Sequence, residues 1–148
     1  MRRKERTAAA AEFVWPVRVY YEDTDAGGVV YHANYLKFME RARTEWLRSL
    51  GWQQDRLLAE ERVVFAVRHL AVDYLKPARF NDELNVRSRV GKLGSASIEF
   101  EQDIVRADGG PLCRGVVIVA CIDADAFRPR AIPDPIHDAI KRFRKHAD

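Results

Sequence analysis

The spacing of apolar residues along the chain changes three times, and each change marks a change of element. Val17 to Glu22 (VRVYYE) is dense in β-branched and aromatic residues and predicts a strand. The following DTDAGGVVYHAN has the acidic and glycine chemistry of a loop. From Asn34 to Leu50, Tyr35, Met39, Ala42, Trp46 and Leu50 recur every three or four residues, flanked by Leu36, Arg43 and Leu47. That period predicts an amphipathic helix, with Lys37, Glu40, Arg41, Glu45 and Arg48 on its polar side. Asn34 is the expected N-cap and Gly51 the expected stop. A short helix around Leu57 and Leu58 is expected within residues 52–60.

Beyond residue 62 the pattern turns to β. Val63 to Leu75 is a long apolar-rich strand stopped by Pro77. Leu84, Val86, Ser88 and Val90 alternate with Glu83, Asn85, Arg87 and Arg89. After a turn at Gly94-Ser95, Ala96, Ile98, Phe100, Gln102 and Ile104 alternate with polar residues; both runs read as half-exposed strands. Asp108-Gly109-Gly110 is a second hairpin signal. Leu112 to Ile122 is almost wholly apolar and is expected to be an interior strand buried on both faces. A last helix is expected from Asp134-Pro135, with Ile136, Ile140 and Phe143 as its stripe. The order is strand, long helix, four strands joined by short turns, then a helix. This is an α+β chain in which an antiparallel sheet buries the apolar face of the early helix.

A chain of 148 residues with 47% apolar and 32% charged residues is sized for one domain with a substantial core. We divide it into a flexible basic tail, residues 1–12, and a single domain, residues 13–148. The tail resembles a secretory leader in its basic start and alanines, but Glu12 interrupts the short apolar stretch and Pro16 closes it. No apolar run reaches the length of a membrane span. A net charge of +3 suits small anionic ligands, and no basic stretch interleaved with aromatics points to nucleic acid. Cys113 and Cys121 share one expected strand, roughly 26 Å apart at ~3.3 Å per residue, too far to pair. Reduced thiols and the lack of a leader make the cytoplasm the expected compartment.

The chemistry concentrates in one place. Glu22, Asp23 and Asp25 could be a metal cluster, but an EF-hand counted from Asp23 puts Gly27 at position 5 and Asn34 at position 12, so that pattern fails. Read from spacing alone, the acids are a polar turn favoured by the nearby helix N-terminus. His69 reads as a core or interface residue, His137 and His146 as solvent-facing, and Lys141, Arg142, Arg144 and Lys145 as a solvated face that could alternatively hold phosphates. No GxSxG, P-loop or GxGxxG motif is present.

The stretch VRVYYEDTDAGGVVYHANYLKFMERARTEW, Val17 to Trp46, resembles the acyl-CoA thioesterases of the 4-hydroxybenzoyl-CoA thioesterase family, and within it those associated with the Tol–Pal envelope system. LKPARFNDEL and the late FRPRAIP extend the resemblance more loosely. It implies a hot-dog fold, a sheet wrapped around the 34–50 helix. It also implies a homodimer or homotetramer with its site where subunits meet, an acyl-CoA substrate, and neither metal nor cofactor. The matching motif puts the catalytic carboxylate at Asp25, with His32 and Tyr21 as further catalytic candidates and Asp23 as a structural acid. Gly27, Gly28, Val29, Tyr31 and Asn34 would border the substrate, and the backbone N–H near His32 would polarise the thioester oxygen. Two other readings belong to the same fold. One is a hydroxyacyl-thioester dehydratase. The other is a non-catalytic module binding acyl-CoA, acyl carrier protein or envelope-lipid enzymes.

Overall fold

The computed structural model describes residues 11–145. Five strands and three helices follow one another as β1 (Phe13–Arg18), α1 (Asn34–Ser49), α2 (Gln54–Glu61), β2 (Val63–Tyr74), β3 (Glu83–Leu93), β4 (Ser97–Arg106), β5 (Pro111–Asp123) and α3 (Asp134–Lys145). The strands form one antiparallel sheet in the order β1-β3-β4-β5-β2, and α1 lies across its inner face.

The alternation in β3 and β4 decides which face meets the helix. Leu84, Val86, Ser88 and Val90 of β3, and Ile98, Phe100, Gln102 and Ile104 of β4, are buried, as their period of two predicts. The opposite face carries an ionic lattice in which Arg89 bonds Glu12 and Asp103, and Arg87 bonds Glu12. Glu12, placed in the tail by sequence, is therefore docked on β3. Residues 1–10 and His146 lie outside the described residues.

Gln102, fully buried, is paired at both ends of its amide. Its Nε2 donates to the Met39 carbonyl and to Ser88 Oγ, and its Oε1 accepts from Arg43 Nη1 at 3.0 Å. An inward polar residue is tolerated because nothing on it is left unbonded. Gly115 of β5 sits beneath α1, where a Cβ would stand 2.9 Å from Met39 Cε. The glycine lets the helix settle close to the sheet.

The core has two lobes along α1. Tyr35, Phe38, Met39 and Ala42 pack with Leu84, Val86, Ile104 and Leu112. Trp46 and Leu47 pack with Phe100, Val117, Val119 and, from α3, Ile136 and Ile140. Phe38 belongs to the buried face although the three-four spacing passed over it. Glu45 pairs with Arg48 rather than with Arg41. The helix ends as Gly51 predicts: at φ 108° its N–H donates to Arg48 O, and the Trp52 N–H donates to Leu47 O.

Three expectations are corrected. β1 runs Phe13–Arg18, not Val17–Glu22, because Pro16 sits in an edge strand, where a missing N–H costs no ladder bond. Tyr21–Asp23 forms a 3-10 turn, held by the Tyr20 N–H donating to Asp23 Oδ2 at 2.8 Å. Asn34 is the first residue of α1 and not its cap; Ala33 holds the cap position without a side-chain bond. One histidine differs from the sequence reading: His137 is half-buried with Nε2 3.1 Å from Gly94 O. His69 lies outside the core of the single chain, exposed on the edge strand β2.

β2 is the other edge of the sheet. A bulge between Val67 and His69 keeps Phe65, Val67, Leu70, Val72 and Tyr74 opposite the inward residues of β5. Yet Val67 is 53% exposed, Leu70 38% and Tyr74 48%. An apolar stripe on the inner face of an unpaired edge is a surface built to be covered.

Candidate active site

The loop before α1 is a small hydrogen-bonded unit. Thr24 bridges Val30, the Asp25 N–H donates to Val29 O, and the Gly28 N–H donates to Asp25 O. Gly28 takes φ 81°, a conformation that disfavours side chains. Asp25 Oδ1 accepts from the Gly27 N–H at 2.8 Å, which orients the exposed carboxylate. Two strap bonds attach this loop to the β2–β3 connection: Val30 N–H donates to Ala78 O at 2.8 Å, and Val29 bridges Arg79.

Asp23 is buried and joins the loop to the helix. Its Oδ1 accepts from Asn34 Nδ2 at 2.9 Å, its Oδ2 from the Tyr20 N–H, and its carbonyl from the Tyr31 N–H at 2.8 Å. Asn34 thus lies inside the first turn of α1 with its amide donating back to the loop, and the cap position falls to Ala33.

Asp25, Val29 and His32 line one wall of an open cleft of about 330 Å³, and Tyr35, Tyr74 and Lys76 line the others. Tyr74 donates to the His32 carbonyl at 2.9 Å, and its ring meets the His32 imidazole edge-on, so β2 positions the helix start. The Tyr35 hydroxyl accepts from the Ala78 N–H at 3.0 Å; burial pushes that phenol above its ordinary pKa, and the Ala78 bond pulls it partly back. Burial likewise raises Tyr74. Among the described residues, neither the His32 nor the Ala33 N–H has a backbone acceptor, and His32 lines the cleft.

Of the residues expected to border substrate, Val29 lines this cleft; Gly27, Gly28 and Tyr31 belong to the same loop but do not line it, and Asn34 is buried. Tyr21, expected as a catalytic residue, does not line the cleft: it is 76% exposed and stacks on Phe80 with ring centroids 4.0 Å apart. Tyr35, Tyr74, Leu75, Lys76 and Pro77 were not assigned to the site from sequence. The last three belong to LKPARF, over which the resemblance to the thioesterases extends without assigning a role. Among the described residues, no three His, Cys, Asp or Glu side chains converge as a metal site would require. A carboxylate, free main-chain donors and an amine around one cleft can attack a carbonyl and hold the charge that develops on its oxygen.

The sheet wrapped on a central helix, with a carboxylate loop at the helix start, defines the hot-dog thioesterase class. The chain belongs to the Thioesterase-like superfamily, whose family model matches residues 19–140. It is 50% identical over 130 residues to the acyl-CoA thioester hydrolase YbgC of Escherichia coli, covering 88% of this chain and 96% of that one. It is 47% identical to the acyl-CoA thioesterase YbgC of Haemophilus influenzae, covering 89% and 96%. Among solved structures, one described as a probable thioesterase from Bartonella henselae superposes with a TM-score of 0.79 at 36% identity, covering 83% of this chain and all of that one. A 1,4-dihydroxy-2-naphthoyl-CoA thioesterase from Synechocystis shares the fold, with a TM-score of 0.82 at 24% identity, covering 88% and 96%.

Proposed function

We propose that this protein hydrolyses acyl-CoA thioesters to a carboxylic acid and CoA, with Asp25 as the catalytic carboxylate. One observation supports the reading: Asp25, held on a bonded turn, lines the same cleft as His32, whose N–H has no backbone acceptor. The thioester carbonyl would lie between them, its oxygen toward the His32 and Ala33 N–H groups. As negative charge grows on that oxygen, fixed donors at a helix N-terminus stabilise it without reorganising. Asp25 either attacks the carbonyl carbon to give a mixed anhydride, which water then hydrolyses, or takes a proton from the attacking water. In both routes the C–S bond breaks and CoA leaves as thiolate. His32 and Tyr74 position the donors, and Lys76 lies where it can attract an anionic substrate.

The working unit in this reading is a homodimer, or a homotetramer of such dimers, joined along β2 so that each bare stripe covers the other. Isologous pairing of two edges continues the sheet and removes the exposed ladder groups. Buried, unpaired Cys113 and Cys121 fit a reducing cytoplasm.

Asp25→Asn keeps the Gly27 bond and removes the base. The expected loss in kcat/KM on an acyl-CoA panel is about 10²–10⁴-fold, with an unchanged unfolding midpoint. Wild-type rates of thiol release from Asp25→Asn would refute the assignment. Repeated turnover in heavy-oxygen water separates the two routes, because only the anhydride route carries label into the Asp25 side chain.

A further inference from the structure

The connection from β2 to β3 is braced by a side chain that does not line the cleft. Arg106, the last residue of β4, bonds the Asp82 carboxylate through Nη1 and donates from Nη2 to the Pro77 carbonyl at 3.2 Å. One guanidinium thus grips both ends of residues 77–82, which a planar fork of donors can do and a single ammonium cannot. The same Asp82 oxygen accepts from the Arg79 N–H at 2.8 Å, and the Asp82 N–H donates to Arg79 O, closing a turn in which Asn81 takes φ 71°.

This segment holds the Asp25 loop at its two ends. Before the loop, the Val19 N–H donates to Asp82 O at 3.0 Å, and Val19 O accepts from the Asn81 N–H at 2.9 Å. At its far end, Val29 bridges Arg79 and the Val30 N–H donates to Ala78 O. Ala78 is fully buried, and its N–H donates to the Tyr35 hydroxyl in the first turn of α1. Loop and helix start therefore take their relative position from one short stretch of chain. Leu75 and Lys76 are pinned separately, each N–H donating to Leu112 O, so that wall of the cleft does not depend on Arg106.

The geometry points to Arg106 and Asp82 as a positioning pair for the hydrolysis; this rests on the hydrolase reading above. By fixing residues 77–82, the pair sets where Asp25 stands relative to the helix start, without touching substrate. Its side chains are 30% and 23% exposed, and a partly exposed ion pair adds little to stability. A reacting group displaced by ~1 Å, in contrast, can cost about 10²-fold in rate. Loss of the pair is therefore read in kcat and hardly in the unfolding midpoint.

Arg106→Ala is the test, with Arg106→Gln in its place if the alanine variant lacks a cooperative urea transition. On an acyl-CoA panel kcat should fall about 10–100-fold, while KM stays near the wild-type value. Guanidinium chloride at millimolar concentration should restore much of the lost kcat, where sodium chloride at the same ionic strength does not. Amide hydrogen exchange gives a readout apart from turnover. The Val30 and Ala78 N–H groups should exchange about tenfold faster or more, and those of β5 at their wild-type rates. Arg87→Ala, which removes an ion pair from the outer face of the sheet, should leave kcat and both amides unchanged. Wild-type kcat in folded Arg106→Ala would overturn the positioning role. So would a loss carried wholly by KM, or a slower enzyme that guanidinium does not rescue and whose Val30 amide stays protected. An active Asp25→Asn would instead sink the catalytic reading, and amide exchange alone would then decide whether Arg106 fixes the loop.

Discussion

Asp23 is the residue on which the geometry of the site turns, although it does no chemistry in the proposed reaction. Its buried carboxylate accepts from Asn34 Nδ2 at 2.9 Å and from the Tyr20 N–H at 2.8 Å, tying the loop to the first turn of α1. Asp23→Ala removes both bonds, leaving the Asn34 amide without its acceptor in a buried position and the Tyr20 N–H in a part-buried one. Hydrogen bonds to a charged group contribute about 1.5–3 kcal/mol each, so the expected loss for the two is about 3–6 kcal/mol. For a chain of this size that lowers Tm by about 10 °C. Urea unfolding at one fixed protomer concentration gives the number, with an unchanged slope as the check that the native state stays compact. Asn34→Ala should cost less, because Tyr20 still satisfies one carboxylate oxygen. The double variant should be more stable than the sum of the two losses suggests, by about 1.5–3 kcal/mol, since the Asp23–Asn34 bond is removed in both singles. Additivity to within about 0.5 kcal/mol would refute the linkage, as would an Asp23→Ala loss below about 1 kcal/mol, under the value of one charged bond.

Two further outcomes follow from the same geometry. Tyr74→Phe removes the donor that holds the His32 carbonyl; kcat should fall about fivefold, the equivalent of a ~1 kcal/mol bond, while the unfolding midpoint barely moves, because the side chain is half exposed. Burial pushes the Cys113 thiol up to about 12. Between the unfolded value of 9.0 and that figure the folded state binds the extra proton, so stability is full below the lower value and falls as pH rises through the window. The limiting slope is about 1.4 kcal/mol per pH unit, and Cys113→Ala should flatten it by that amount. Iodoacetamide should leave Cys113 unlabelled in the native protein at pH 8 and label it in urea.

Much of the fold is written in period. The three-four spacing from Tyr35 to Leu50 marks the buried face of α1, and the alternation in β3 and β4 places even Gln102 inward, because helix and strand geometry act on neighbours in the chain. Gly51 and the two hairpin turns are likewise local backbone requirements. The resemblance of Val17 to Trp46 to known thioesterases points to Asp25 as the candidate carboxylate from sequence alone. What neighbours in sequence cannot specify is which distant groups they meet. Pro16 reads as a stop until β3 is seen pairing with only one side of β1. Asn34 reads as a cap until Asp23 is folded within reach of its amide. Tyr74 and Lys76 enter the cleft only because the Val29–Arg79 and Val30–Ala78 contacts close a loop of some fifty residues. The bare stripe on β2 is the same case: its residues look like core in one dimension, and only the tertiary arrangement leaves them uncovered, since one α1 is too narrow to shield a five-stranded sheet.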